Sequence, residues 1–125
     1  MIKFDTIFLV DDDIIYLSIT AKTFNVLFPG SRVRSFRIAK DALDRIEKEK
    51  PDVVFLDINM PVMDGWEFLD GLKNMNHKVP VYIVSSSIDP DDLIKAKKEP
   101  MVVKFIEKPL GIKRIEREFM TGKLE

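Results

Sequence analysis

Short runs of apolar residues, each about the length of a β-strand, recur along the chain. Four of them cover residues 7–10, 53–56, 81–84 and 102–106, and the last is interrupted by one lysine. Continuous apolar runs are typical of strands that are buried on both faces of a sheet. Residues 31–36 instead place a valine between two arginines, directly after a Pro-Gly pair. This alternation predicts a fifth strand at an edge of the sheet.

The segments between the predicted strands have the apolar spacing of helices. They cover residues 14–28, 39–48, 65–75, 90–98 and 110–120. In the fourth, Asp89 is a suitable cap and Pro90 suits the first helical position, where a missing N–H costs nothing. In the fifth, the spacing places Ile112, Ile115 and Phe119 on one face.

Strand and helix alternate five times, an order that is typical of α/β folds. Parallel strands need crossover connections, and right-handed crossovers on both faces produce a doubly wound sheet. For five strands, the flavodoxin-like order 2-1-3-4-5 is the leading prediction. We expect residues 1–125 to form a single domain with no output domain, because no linker divides the chain and it stops soon after the fifth helix.

The amino-acid composition excludes several classes of functional site and of binding partner. The chain has 20 basic and 21 acidic residues, so its net charge of -1 gives no general attraction to nucleic acid or to an anionic membrane. It has no cysteine, which excludes disulfides, thiolate metal sites and a cysteine nucleophile. The first ten residues lack the zones of a signal peptide, and no apolar run approaches the roughly 20 residues that span a bilayer. We therefore expect a cytoplasmic protein without direct nucleic-acid or membrane binding.

Polar and charged residues follow four of the five predicted strands, at or near the point where each strand ends. Asp11 and Asp12 follow the first strand, Asp57 the third, Ser85 the fourth and Lys108 the fifth. In doubly wound sheets the site lies beyond the carboxyl ends of the strands. We therefore expect these side chains to converge at one edge of the sheet.

Each of these residue types has a role in phosphoryl transfer. Clustered carboxylates repel one another unless a cation neutralises them, and oxygen ligands select a hard ion such as Mg²⁺. A carboxylate such as Asp57 can act as a nucleophile toward phosphorus. The ammonium of Lys108 and the hydroxyl of Ser85 can stabilise charge on the transferred group. A cis bond between Lys108 and Pro109 is predicted to direct the ammonium toward the site.

Four segments together resemble the receiver domains of bacterial response regulators, in the CheY-like single-domain form. They are FLVDDD at residues 8–13, VVFLDINMPVMDG at 53–65, PVYIVS at 80–85 and FIEKP at 105–109. Each segment alone is a weak signal, whereas four in this order and spacing are specific. The resemblance extends over the whole chain and implies a phosphorylation-dependent switch of a two-component system.

The resemblance also implies a role for individual acidic residues. Asp57 would accept a phosphoryl group from a sensor histidine kinase or a histidine phosphotransfer protein, in a reaction that depends on Mg²⁺. Asp12 would bind Mg²⁺ directly, and Asp11 would act mainly through bound water. Asp57 and the backbone carbonyl of Asn59 would complete the protein's share of the metal ligands.

The remaining motif positions concern signal output. Lys108 matches the lysine of the family, and Ser85 occupies the switch position, where threonine is commoner. Phe105 occupies the position of the switch aromatic, and because it lacks a hydroxyl its switching would be steric. The resemblance places the output surface near the fourth helix, fifth strand and fifth helix, facing an unknown downstream protein. We expect a monomer or a weak phosphorylation-dependent dimer.

Two other functions remain open at this point. A degenerate receiver would bind a partner without phosphorylation. A phosphohydrolase of the haloacid-dehalogenase type would use Asp11 as its nucleophile, since Asp11 and Asp13 form an Asp-x-Asp pair after an apolar strand. Asp13 is equally suited to capping the first helix. Under the leading hypothesis the chain is no enzyme apart from catalysing its own phosphorylation and dephosphorylation, for which Ser87 is a further candidate.

Overall fold

The computed structural model describes residues 3–86 and 88–120, which fold around one parallel sheet. The sheet has five strands in the order β2-β1-β3-β4-β5, as the sequence predicts. The strands are β1 (Thr6–Val10), β2 (Arg32–Phe36), β3 (Val53–Leu56), β4 (Val81–Ser85) and β5 (Val102–Glu107). Strands β1, β3 and β4 occupy the three inner positions and are almost fully buried. This is a flavodoxin-like arrangement with β2 at one edge.

Helices cover both faces of the sheet. They are α1 (Ile14–Leu27), α2 (Ala39–Leu43), α3 (Ile46–Glu49), α4 (Gly65–Lys73), α5 (Pro90–Lys97) and α6 (Ile112–Phe119). Apolar residues of α1 and α6 pack in one core cluster, and those of α2 to α5 pack in another. Successive strand residues point to opposite faces, so alternate residues of each inner strand belong to different clusters. No helix in the described ranges is long and apolar enough to span a membrane.

The structure divides the predicted second helix into two. The prediction of one helix over 39–48 was wrong, because α2 ends at Leu43 and α3 begins at Ile46. At the break, the backbone N–H of Arg45 donates to Ala42 O at 3.0 Å, a tighter turn than the α-helix makes. Beyond it, the nearly buried Glu49 forms an ion pair with Arg34 of β2 at 2.9 Å.

The apolar face predicted for the last helix is only partly buried in the structure. Ile115 and Phe119 are buried, whereas Ile112 is 46% exposed. Ile112 is the first residue of α6, after Gly111 at the cap, and therefore lies at the end of the packed face. Asp89 caps α5 and Pro90 opens it, as predicted.

Candidate functional site

Backbone hydrogen bonds hold the residues that follow the strands in one group. The N–H of Asp11 donates to the end of β2 at 3.0 Å, and the N–H of Asp57 donates to Val10 O at 2.9 Å. Across the other half of the sheet, the N–H of Lys108 donates to Ser85 O at 2.8 Å. The parallel register therefore continues past the strand ends and brings the predicted site residues to the same edge.

Three carboxylates meet at this edge. Asp11, Asp12 and Asp57 each offer an oxygen within 4.8 Å of the others. Asp11 is 2% exposed and Asp57 is 7% exposed, while Asp12 is open to solvent. Backbone N–H groups orient the two buried carboxylates, because Asp13 N donates to Asp11 Oδ1 at 2.9 Å and Asn59 N donates to Asp57 Oδ1 at 3.0 Å. The predicted acidic cluster is present.

The ammonium of Lys108 lies among these carboxylates. Its Nζ is 2.6 Å from Asp11 Oδ2 and 3.6 Å from Asp57 Oδ2. Burial lowers the pKa of Lys108, but the hydrogen bond to Asp11 and the charges of both aspartates outweigh it, and the net pKa is raised. Lys108 is therefore a permanent cation at neutral pH. The Lys108–Pro109 peptide bond is cis, as predicted.

The environment of Asp57 disfavours its charge. Burial raises its pKa, and the carboxylates of Asp11 and Asp12 add to that increase. The Asn59 N–H and the Lys108 ammonium act in the opposite direction without cancelling it. One cation beside three carboxylates leaves an excess of negative charge, which suits a hard divalent ion. The donor set therefore fits Mg²⁺.

Ser85 is fully buried at the end of β4. Its Oγ accepts a hydrogen bond of 3.1 Å from Asn59 Nδ2. The side-chain amide of Asn59 thus connects the loop after β3 with the predicted switch hydroxyl, a contact that the motif positions did not reveal. Ser87 lies outside the described residues.

Phe105 is half-buried on β5 and packs against the core cluster that contains α5. A groove of about 290 Å³ runs beside it between α5 and β5. Its lining includes Leu93, Lys97 and Val103. The fourth and fifth predicted helices correspond to α5 and α6, so this groove lies on the surface expected to carry output.

Asp13 has a structural role at the start of α1. Its side chain accepts hydrogen bonds from the backbone N–H groups of Ile15 and Tyr16 at 3.0 and 3.1 Å. These bonds satisfy donors that the first helical turn leaves unpaired. The helix cap therefore accounts for Asp13, and the Asp-x-Asp pattern gains no support from its position.

Two features of the site were not predicted from the sequence. The ring of Tyr16 lies beside Lys108, with 4.4 Å between the ring centre and Nζ. Val62, in the loop after β3, is 101% exposed and has a φ of 66°. Tyr16 could have been noted as an aromatic in the first turn after the acidic pair, but no sequence signal marks Val62, since glycine or asparagine is usual in this conformation.

Comparison with known proteins identifies a family for this chain. The response regulator receiver domain family model matches residues 7–119. Sporulation initiation phosphotransferase F of Bacillus subtilis is 33% identical over 93 residues, which cover 73% of this chain and 74% of that protein. A crystal structure of a two component response regulator from Cytophaga hutchinsonii is 28% identical with a TM-score of 0.78, covering 93% of this chain and 94% of the other.

Longer proteins also match. A protein-glutamate methylesterase/protein-glutamine glutaminase of Treponema denticola is 37% identical over 81 residues, which are 64% of this chain and 22% of that enzyme. The chain spans less than a third of the length of several curated relatives that it matches. The family model, in contrast, accounts for nearly all of the described residues. The chain therefore belongs to the receiver domain family of two-component response regulators.

Proposed function

We propose that this receiver domain is a switch in which Asp57 accepts a phosphoryl group from a histidine kinase or a histidine phosphotransfer protein. The observation that carries this proposal is the placement of a nearly buried Asp57 beside two further carboxylates and the Lys108 ammonium. A site of this kind provides a nucleophile together with the charges that stabilise a transferring phosphoryl group.

In the transfer, an oxygen of Asp57 forms the new bond to phosphorus. The bond between phosphorus and the donor nitrogen breaks, and its electron pair remains on the donor imidazole. Lys108 donates hydrogen bonds to phosphoryl oxygens, where charge is concentrated in the transition state. The Ser85 hydroxyl is the second proposed donor to these oxygens. Hydrolysis of the same acyl phosphate returns Asp57 to its carboxylate.

The residues that would hold Mg²⁺ are Asp12 and Asp57 directly, Asp11 chiefly through water, and Asn59 through its backbone carbonyl. Bound Mg²⁺ would neutralise charge on the carboxylates and on the phosphoryl oxygens. The three carboxylates within 4.8 Å of one another support this assignment. The raised pKa of Asp57, caused first by burial, supports it as well, because a nearby cation would restore the ionised nucleophile.

Exposed aliphatic side chains around the site, in loops and in the first turn of α1, support a protein as the phosphoryl donor. They come from the segments that follow four of the five strands, and they are Ile14, Ile15, Ile38, Val62 and Ile88. Each is at least 45% exposed. A small phosphodonor needs only the acidic centre, whereas a protein that brings a phosphohistidine to Asp57 must cover this rim. Burial of the rim would stabilise that complex.

Output to an unknown downstream protein is proposed to use the surface of α5, β5 and α6. The groove beside Phe105 supports this assignment, because inward packing of the ring would change the shape of the groove. Phe105 has no hydroxyl, so the change would be purely steric. The exposed Ile94 of α5 and Val103 of β5 extend the apolar surface beside the groove.

Intact mass after incubation with acetyl phosphate and Mg²⁺ tests the proposal. We expect one phosphate on the wild type, none on Asp57→Asn, and slower gain on Asp11→Asn, which retains the nucleophile. An adduct that persists in Asp57→Asn would show that another residue is phosphorylated. No adduct on the wild type, with acetyl phosphate or with a phosphohistidine donor, would favour a degenerate receiver that binds partners without phosphorylation.

A second experiment tests the protein donor. The rate of phosphorylation by a phosphohistidine protein, divided by the rate with acetyl phosphate, should fall about tenfold in Ile15→Gln, since burial of one aliphatic side chain contributes about 1.5–3 kcal/mol. Val26→Gln is the matched control, because Val26 is 70% exposed on the same helix but at its far end. An equal ratio in Ile15→Gln and the wild type would contradict docking on the rim.

A further inference from the structure

The ring of Tyr16 is a third neighbour of the Lys108 ammonium. Nζ lies over the ring, 4.4 Å from its centre, while it also contacts Asp11 at 2.6 Å and Asp57 at 3.6 Å. A cation within about 6 Å of an aromatic face is attracted by the negative charge concentrated there. The ammonium is therefore held between carboxylates on one side and an aromatic face on the other.

The ring itself is fixed by the start of α1. Asp13 caps this helix and accepts a hydrogen bond from the backbone N–H of Tyr16 at 3.1 Å. The side chain is half-buried against the core cluster that contains Leu17 and Phe55. The face of the ring is the part that meets Lys108.

The aromatic contact differs from the carboxylate contacts in one respect that matters for the reaction. When Asp57 becomes an acyl phosphate it loses its own negative charge, and negative charge gathers on the phosphoryl oxygens instead. The attraction between Lys108 and Asp57 therefore changes during transfer. The face of Tyr16 keeps its charge distribution throughout, so its contact with the ammonium persists.

We propose that Tyr16 is a positioning residue for Lys108, whose ammonium it holds at the phosphoryl position by a cation–π contact. This inference rests on the proposed function of Asp57. A lysine side chain is flexible and strongly hydrated, so much of its value in catalysis depends on how well it is held. Lys108 loses no proton in the step. It donates to phosphoryl oxygens while the donor bond to phosphorus breaks and the bond to Asp57 forms.

Substitution of Tyr16 separates the ring face from the hydroxyl and from packing. We expect Tyr16→Leu to lower the rate of phosphorylation by acetyl phosphate about 3- to 10-fold, the range that corresponds to a partly desolvated cation–π contact. Tyr16→Phe keeps the face and should restore most of the rate. Tyr82→Leu is the matched control, because Tyr82 is half-buried in the same core cluster but packs between Phe55 and Phe119.

A graded series removes the remaining ambiguity about packing. Phenylalanine analogues with one, two and three ring fluorines at position 16 keep nearly the same shape while they weaken the negative face stepwise. We expect the logarithm of the phosphorylation rate to fall in proportion to the number of fluorines. A rate that is the same with phenylalanine and all three fluorinated analogues would overturn the proposal, since a residue that acts only by packing would give equal rates.

Proton NMR of the protein without phosphodonor or Mg²⁺ provides a readout that does not depend on activity. The ring should shift the Hε resonance of Lys108 upfield, and the shift should be present in Tyr16→Phe and absent in Tyr16→Leu. An unshifted Hε in the wild type would also overturn the inference. If the wild type shows the upfield shift but gains no phosphate, the proposed function has failed rather than the contact. If the wild type gains phosphate but the rate is the same with every ring at position 16, only the positioning role has failed.

Discussion

At the scale of single residues, Asp57 is the proposed phosphoryl acceptor, and its surroundings disfavour the charged form of its carboxyl group. Burial is the main cause of its raised pKa, and the carboxylates of Asp11 and Asp12 add to it. Between the ordinary aspartate pKa and this raised value, the folded protein binds more protons than the unfolded chain. The free energy of unfolding therefore falls as pH rises through that window, and it stays lower above it. The ionised carboxylate of Asp57 is therefore maintained at a cost in stability.

Asp57→Asn should accordingly be more stable than the wild type at pH 7 in metal-free buffer, as measured by urea unfolding. The difference should shrink as pH falls through the raised pKa and vanish below the ordinary aspartate value of about 4, where the wild-type carboxyl is protonated in both states. Asp12→Asn should give a smaller gain, because Asp12 is exposed. A wild type as stable as Asp57→Asn at pH 7 would contradict this account.

Val62 adopts a backbone conformation that β-branched residues rarely occupy. Its φ of 66° costs free energy, and its fully exposed side chain gains nothing from packing. Val62→Asn should therefore raise the free energy of unfolding by about 0.5–1 kcal/mol, because asparagine tolerates this region far better. Thermal and urea unfolding would both show the change.

The same substitution at an exposed helical valine is the control. Val26 is 70% exposed in α1, and valine and asparagine have similar helix propensities. We expect Val26→Asn to change stability by less than about 0.5 kcal/mol. Equal effects at both positions would remove the backbone explanation. Val62 is one of the exposed aliphatic residues proposed to contact a phosphohistidine protein, and that proposed role would account for valine in this strained position.

At the scale of elements, the start of α4 is packed tightly against the loop that carries Asp57. The N–H of Gly65 donates to Ile58 O at 3.0 Å. A Cβ at position 65 would lie 2.5 Å from Ile58 Cα, an approach that only glycine allows. The cap formed by Asp64 and Glu67 fixes the same turn from the other side. This packing holds the backbone after Asp57 in place.

Gly65→Ala should therefore destabilise the protein by about 2–3 kcal/mol, because the clash is with backbone that cannot move aside. Gly111 offers the comparison, since it opens α6 and a Cβ there would have no neighbour within 4 Å. We expect Gly111→Ala to cost less than about 1 kcal/mol. Urea unfolding of both variants measures the contrast, and similar losses would show that the close approach to Ile58 is unimportant.

Element prediction succeeded for the strands and for four of the six helices. All five strands and α1, α4, α5 and α6 lie within two residues of their predicted ranges. It failed at the break between α2 and α3, where the chain makes a tighter turn at Arg45 although its apolar spacing stays helical. At the exposed Ile112, spacing shows which residues share a face but not where the packed surface ends.

At the scale of the whole molecule, the ends of β1 and β3 bring acidic residues from distant parts of the chain together. If these residues bind Mg²⁺, the ion stabilises the folded state by mass action, by about 1.4 kcal/mol at ten times the dissociation constant. We expect Mg²⁺ to raise the urea midpoint of the wild type and EDTA to reverse the increase.

The increase should be much smaller in Asp12→Asn, which loses a proposed ligand. Asp70→Asn should respond like the wild type, because Asp70 is an exposed carboxylate of α4 that pairs with Lys73. A midpoint that rises equally in all three proteins would indicate general screening by salt rather than a bound ion.

The sequence by itself determined the strand order and the set of residues at the site. Both follow from local information, since continuous apolar runs identify buried strands and the handedness of crossovers restricts their order. Once the order is known, residues that follow the parallel strands β1, β3, β4 and β5 must lie at one edge, because the carboxyl ends of parallel strands meet there. Asp11, Asp57, Ser85 and Lys108 could therefore be grouped before any distance was known.

Only the tertiary structure decided which of these groups touch. The closer contact of Lys108 with Asp11 than with Asp57, its place over Tyr16, and the hydrogen bond from Asn59 to Ser85 join side chains far apart in the chain. Such contacts depend on register, rotamer and burial acting together, and differences of an ångström decide them. Spacing along a sequence carries no information at that resolution, because it reports which face a residue occupies and not how far its side chain reaches.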